Sequence, residues 1–279
     1  MTASASERPL LIGATASDPR HSVMIWNTIR GHFAANGIPV EYALYSTYDA
    51  LCDHLLRGIV DIAWNAPMAH AQSLLAGGGR CRTLAMRDTD DGVHTLLVAR
   101  ADAGIEGLDD LRGRRVAMGV DVSSELWLLP AAELRAAGLD PTTDCDLVDL
   151  EPTRYPNLQE WVDDRTIFEA VVDGRADAGV IFEPWLSPLR RRHGLEPDDI
   201  TEVWRSTPYS HCAFTGGPDL DQTTADRFVE VLLSMNPEDP EIAEMMRREH
   251  LSAWVPATDS GWVTLMTAIR DAGLEGRVW

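Results

Sequence analysis

The chain has 279 residues, 45% of them hydrophobic, enough to bury the core of one large domain or two modest ones. Its formal net charge is -20 at pH 7, with acidic residues spread along the whole chain, which excludes a phosphate-backbone partner that needs a basic face. All 24 basic residues are Arg, so Schiff-base chemistry, a pyridoxal-phosphate lysine and a P-loop lysine are ruled out.

The opening residues lack a basic start, an apolar core and a small-residue cleavage site. A cytoplasmic location is therefore expected, or an exported one if a signal has been removed. Leu10–Ala14 reads as a strand, Val23–Asn36 as a helix and Val40–Leu44 as a strand. A helix over Tyr48–Leu56 stops at Gly58. A strand over Asp61–Trp64, a helix over Pro67–Leu75 and strands over Arg82–Met86 and His94–Val98 follow. After a polar connection the series begins again. Val116–Val120 reads as a strand, Ser124–Ala137 as a helix and Leu147–Leu150 as a strand; a helix over Thr166–Asp173 stops at Gly174, and Asp177–Phe182 is a strand. Val203–Ser206 and Ala213–Thr215 look extended, and helices are expected over Thr223–Met235, Pro240–Arg248 and Trp262–Ala272. This alternation predicts an α/β fold with mainly parallel sheets flanked by helices. The longest apolar runs fall short of the ~20 residues of a membrane span.

One corner is written twice. "LLRGIVDIAWNAP" (55–67) and "VVDGRADAGVIFEP" (171–184) each run from a helix end through Gly-x-x-Asp into a short apolar strand and then a Pro. A Gly stop and a turn explain a single copy; two copies point to two lobes, each aiming the carboxyl end of a strand at a ligand.

These residues resemble the phosphate/phosphite/phosphonate-binding proteins of ABC importers. The matching pieces are Thr47–Leu51, Gly58–Pro67, Gly107–Val116, Ser123–Pro141 and Gly174–Gly179, in the family's order over roughly three quarters of the chain. The resemblance implies a two-lobed type II periplasmic-binding-protein fold with a ligand cleft between lobes. Residues 1–100 plus 208–279 would form lobe one and 101–207 lobe two. It also implies an anion site of three hydroxyls at a helix N-terminus, where this chain has Ser123, Ser124 and Glu125. The family's next helix opens with a His-acid pair; here the residues are Asp164 and Arg165. Tyr48 keeps the first-lobe aromatic, Val93 with His94 stands where the family has a second Tyr, and Glu183 lies near an acidic position that can hold an amino group. These departures from the resembling family imply that the scaffold is kept and lead to the expectation of a changed ligand.

Trp64 and Asn65 end a first-lobe strand and offer a stacking face with amide donors, or a core Trp and a turn Asn. His211 and Cys212 are neighbours on what reads as an extended segment, so their side chains should face opposite ways and form no mutual pair. His21, His94 and His211 are candidate cleft-facing histidines. Cys52, Cys81, Cys145 and Cys212 include no C-x-x-C and read as reduced thiols, and no metal or cofactor is expected.

Two functions follow. The first is a protein that closes on a small polar molecule, with an ABC permease as partner if exported, and that does not bind simple phosphonates. The second is a cytoplasmic biosynthetic enzyme on the same fold, with lyase- or hydrolase-type chemistry from Glu125 as acid and His211 as base.

Overall fold

The computed structural model describes residues 8–16, 19–154 and 160–276 and divides into two compact units. Residues 1–91, 210–266 and 274–279 form the first and residues 92–209 and 267–273 the second. Residues 1–7, read above for an export signal, lie outside the described residues.

The first unit opens with β1 (Leu10–Thr15), α1 (Pro19–Ala35), β2 (Val40–Tyr45), α2 (Tyr48–Leu56), β3 (Ile62–Asn65) and α3 (Pro67–Gly77), then the short strands β4 (Arg82–Thr83) and β5 (Ala85–Arg87). The second contains β6 (Thr95–Arg100), β7 (Arg115–Ala117), a π-helical turn (Ser124–Leu128) running into α4 (Leu129–Ala136), α5 (Pro141–Asp144) and β8 (Asp146–Leu147). It continues with β9 (Thr153–Arg154), β10 (Glu160–Trp161), α6 (Asp164–Val172), β11 (Ala178–Phe182), α7 (Glu183–His193) and β12 (Ile200–Arg205). The chain then returns through β13 (Ala213–Gly216), α8 (Gln222–Leu233), α9 (Pro240–Arg248), β14 (Trp254–Pro256) and α10 (Val263–Asp271).

Each unit is built on a five-stranded sheet, in the order β2-β1-β3-β13-β4 in the first and β12-β6-β11-β7-β8 in the second. Both sheets are mixed. The β-α-β alternation accounts for the parallel pairs β1–β2, β1–β3, β7–β8 and β7–β11. The antiparallel pairs involve β6, β12 and β13, the strands nearest the passages between units. In the first unit Phe33 stacks on Phe228 at 4.9 Å between centroids, and Phe214, Ile12 and Ile62 join the same buried cluster.

Three expectations change. The first passage lies near residues 91–92 rather than after Arg100, because β6 pairs with β11 and β12. Thr95–Ala99 is buried residue after residue, as a central strand is, but its position after β5 in the chain carried no information about its partners. Leu147–Leu150 shrinks to the two residues of β8. Helix α7 was given no range from the sequence; Pro184 sits in its first turn, where a missing N–H costs nothing, and Leu186 and Leu189 anchor the buried face.

The repeated corner has the same construction in both units. Gly58 (φ +68°) and Gly174 (φ +73°) take the left-handed conformation that ends each helix. Asp61 then donates its N–H to Leu11 O (2.9 Å) and accepts the Leu11 N–H on Oδ2 (2.8 Å). Asp177 does the same with Arg115, at 2.8 and 3.0 Å. Each Asp thus pins the start of its strand to the neighbouring one, and an arginine, Arg8 or Arg115, closes on its carboxylate.

Candidate functional site

In the second unit the sequence-predicted residues gather at the amino end of β6, the carboxyl end of the antiparallel β11 and the π-helical turn. Ser123 and Ser124 are buried, and the Ser123 hydroxyl accepts the Leu126 N–H at 3.2 Å, so it caps the turn. Within that turn Leu129 N–H reaches Ser124 O, an i→i+5 register of the kind that recurs at functional sites. Glu125 follows directly, and its carbonyl accepts from the Thr95 hydroxyl at 2.8 Å. Thr95 Oγ1 also lies 2.9 Å from the hydroxyl of buried Tyr209.

Asp164 opens α6, and its Oδ1 accepts the Phe182 N–H from the end of β11 at 2.7 Å. Burial pushes the Asp164 carboxyl up to about 7; the Phe182 N–H works against this, and the Glu125 charge adds to it. Burial likewise raises the Tyr209 phenol, with Glu125 and Asp164 contributing. Two carboxyls and a phenol therefore share one electrostatic environment. His94 Nδ1 lies 2.8 Å from the Ser206 carbonyl and is the donor there; the His94 carbonyl accepts the Glu183 N–H at 3.0 Å. The Glu183 carboxylate is held by Arg205 at 2.7 Å, and Arg205 also binds Glu202. Arg165 is exposed and donates to Glu169 at 2.8 Å along its own helix.

In the first unit Tyr48 begins α2, and burial raises its phenol, with nearby Cys212 adding to the shift. Trp64 packs on Phe214 at 4.8 Å, and the Arg87 guanidinium lies 5.4 Å from its ring centroid. Arg87 grips Asp90 through Nε (2.6 Å) and Nη2 (3.0 Å). His211 Nδ1 lies 3.3 Å from Asp90 Oδ1 and 3.1 Å from Cys212 Sγ. The expectation that His211 and Cys212 face apart is overturned, because β13 begins only at Ala213 and the preceding backbone is not extended strand. Burial alone would push the His211 imidazole down; Cys212 and Asp90 instead hold it well above its usual value. Burial pushes the Asp90 carboxyl up, yet His211 and Arg87 keep it below the usual carboxylate range.

Asp90, His211 and Cys212 also place one metal-ligating atom each within 4.8 Å of one another, a grouping that their spacing in sequence did not show. Arg87 already occupies both oxygens of Asp90, so the group is built as an ion-pair network. His21 pairs with Glu249 at 3.3 Å, and Glu249 also meets Arg87. Asn65 is fully buried; its Nδ2 is committed to Thr215 Oγ1 at 2.9 Å, so the open polar atom is Oδ1, an acceptor rather than the donor expected.

Sequence reasoning missed Arg87, Asp90, Thr95, His70 and Tyr209. Asp90 and His211 meet only because a backbone bond from His211 N–H to Asp90 O (2.9 Å) brings distant segments together. Val93 stands where a tyrosine was anticipated, and Tyr209 bridges to it across an antiparallel pair, so the aromatic comes from the other segment. Only His70, on a helix of otherwise small, apolar and amide residues, had a local signal: a polar ring there needs partners.

Residues 19–262 match the family of ABC transporter, phosphonate, periplasmic substrate-binding proteins. The chain belongs to that family. It is similar to the phosphate-import protein PhnD of Mycolicibacterium smegmatis, 26% identical over 199 residues, a match spanning 68% of this chain and 60% of that relative. Among solved structures, XAC2383 from Xanthomonas citri bound to chloride ion has a TM-score of 0.69 at 20% identity, covering 95% of this chain and 98% of that one. PhnD1 from Prochlorococcus marinus in complex with methylphosphonate has a TM-score of 0.67 at 15% identity, again over 95% and 98%. The fold is the two-lobed α/β fold of type II periplasmic binding proteins. Its family is one of periplasmic substrate-binding proteins. No helix among the described residues is long and apolar enough to cross a membrane.

Proposed function

We propose that this family member is a substrate-binding protein for a small polar molecule with a nitrogenous cationic head group, which it delivers to an ABC permease, and that simple phosphonates and phosphate are poor ligands. The observation that carries the reading is the pairing of Glu125, in the first turn after Ser123 and Ser124, with Asp164, whose carboxyl already titrates near neutrality. An oxyanion placed beside them adds a third negative group to a partly desolvated site. An ammonium or amidinium gains charge-assisted hydrogen bonds instead. The Tyr209 phenol and the Ser123–Ser124 turn supply neutral polar surface beside the carboxyls.

Such a site couples binding to protons. Near pH 7 the ligand-free Asp164 is about half protonated; a bound cation favours the ionised form, so binding releases part of a proton. Affinity for a cation should rise from pH 6 to pH 8 and level off once Asp164 is ionised without ligand. Titration calorimetry of amines and amidines in two buffers of different ionisation enthalpy tests this. Proton release at pH 6.5 that is lost in Asp164→Asn supports the reading; cation binding with no proton release, or uptake, contradicts it.

A further inference from the structure

Asp90, His211 and Cys212 bring three different donor atoms to one place in the first unit. Asp90 Oδ1 lies 3.3 Å from His211 Nδ1, Cys212 Sγ lies 3.1 Å from the same nitrogen, and one ligand atom from each residue falls within 4.8 Å of the others. A tetrahedral zinc ion, with bonds of about 2.1 Å to nitrogen and oxygen and about 2.3 Å to sulfur, sets nitrogen and oxygen about 3.4 Å apart and nitrogen and sulfur about 3.6 Å apart. The spacing of Asp90 and His211 already meets the first value. A shift of Cys212 Sγ by about half an ångström meets the second.

The donors are held in place from outside the group. Asp90 is buried, and Arg87 fixes its carboxylate through Nε to Oδ2 (2.6 Å) and Nη2 to Oδ1 (3.0 Å). A carboxylate oxygen has two lone pairs, so Oδ1 can bind a metal while it accepts from Arg87, and metal-ligating carboxylates are commonly supported by such a hydrogen bond. The His211 backbone is tied on both sides, its N–H to Asp90 O at 2.9 Å and its carbonyl to the Trp262 indole N–H at 3.1 Å. One residue earlier the Ser210 N–H donates to Gly261 O at 2.9 Å, and a side chain on residue 261 would collide with Ser210. The imidazole and the thiol therefore leave a fixed stretch of backbone.

Charge favours a cation in the same place. Arg87 faces both Asp90 and Glu249, at 2.6 and 3.5 Å. A Cys212 thiolate would add a third negative group, and with His211 and His21 neutral one guanidinium and one divalent cation balance all three. An ionised Asp90 only accepts, so in the ion-pair network His211 Nδ1 carries a hydrogen that faces both Oδ1 and Sγ. A metal ion takes the place of that hydrogen and leaves the bonds of Arg87 standing.

We propose that Asp90, His211 and Cys212 form a binding site for a zinc-like divalent cation. One carboxylate oxygen, one imidazole nitrogen and one thiolate sulfur suit Zn2+, whereas Mg2+ and Ca2+ take oxygen ligands. Three protein ligands leave the fourth tetrahedral position to water or to a donor atom of a bound molecule. His211 and Cys212 are only partly buried, which gives the ion a way in. The site lies wholly within the first unit and is independent of the cationic head group proposed above.

Cobalt(II) titration of the full chain, stripped with a chelator and kept reduced, tests the site, because cobalt in a zinc site reports its ligands by its spectrum. We expect one cobalt per chain, with the visible bands of a four-coordinate ion and a near-ultraviolet thiolate-to-cobalt band, both lost on adding zinc. Cys212→Ser should abolish the thiolate band, and His211→Gln should weaken cobalt binding roughly tenfold or more. Cys145→Ser, in the second unit, should leave the spectrum unchanged. Circular dichroism melting of each variant shows that it is folded. The unmodified protein decides by itself: cobalt that binds weakly with only the pale spectrum of oxygen ligands, and no thiolate band at stoichiometric metal, overturns the site. A thiolate band that survives in folded Cys212→Ser, or binding untouched in folded His211→Gln, does the same.

Discussion

The corner at Asp61 and the corner at Asp177 are close to interchangeable as structure and unlike each other as chemistry. Both use a left-handed Gly to end a helix and an Asp to bracket a residue at the start of a neighbouring strand, Leu11 in β1 and Arg115 in β7. Beyond that point they diverge. β3 delivers Trp64 under an arginine and Asn65 to the buried Thr215 hydroxyl, whereas β11 delivers the Phe182 N–H to Asp164 and then Glu183 to Arg205. The repeat therefore records how each unit sets a strand, and under the proposed function the ligand preference lies outside it, with Glu125 and Asp164.

Breaking the bracket should cost stability and leave ligand choice alone. Asp61→Ala and Asp177→Ala each remove the side-chain acceptor of an N–H near a strand start, at Leu11 and Arg115, and should destabilise by about 1 kcal/mol, more for the part-buried Leu11 bond than for the exposed Arg115 one, in thermal or urea unfolding. The hydrogen bond and charge of Arg115 hold Asp177 below its usual range, so the Asp177 contribution is present above the ordinary carboxylate range and fades as pH falls through its folded value. A change in ligand selectivity in either variant would show that the corners do more than set strands.

Altering Glu125 and Asp164, outside the repeat, should do the reverse. Glu125→Ser restores a third hydroxyl at the turn and should tighten methylphosphonate binding roughly tenfold, about 1.4 kcal/mol, with little change in melting temperature. Asp164→Asn bears on both. In the unmodified protein Asp164 holds its proton to about 7, above the unfolded value, so its contribution to stability falls between about pH 4 and 7 and then stays level. The Asn variant should lack that decline and bind amines more weakly at pH 8; melting curves at pH 5 and 8 check the first. The smallest effect belongs to Arg8→Ala. The Arg8 side chain is 67% exposed, so its pair with Asp61 should contribute under about 1 kcal/mol, leaving the Leu11 bond as the working part of that corner.

Much of the scaffold was legible because local signals and the fold agree: Gly58 and Gly174 as stops, Pro67 at a helix start, apolar runs at β3 and β11. The order of the sheets was not. Nothing within Thr95–Arg100 says that it pairs with β11 rather than with a strand of the first unit. At the site, Glu125 and Asp164 stood out because they replace residues that a resembling family uses for anions. Arg87 with Asp90 and His70 with Thr215 are joined by contacts long in sequence that no local pattern encodes. Cys212 shows how local reasoning fails: alternation on a strand was applied where the strand had not yet begun.

The central claim is that Glu125 and Asp164 have turned an anion-binding turn into one that refuses anions. Titration calorimetry of the unmodified protein with methylphosphonate and with phosphate at pH 7.5 tests it most directly. We expect dissociation constants in the millimolar range or no measurable heat, corresponding to no more than about 4 kcal/mol of binding. Micromolar binding of either anion would contradict it.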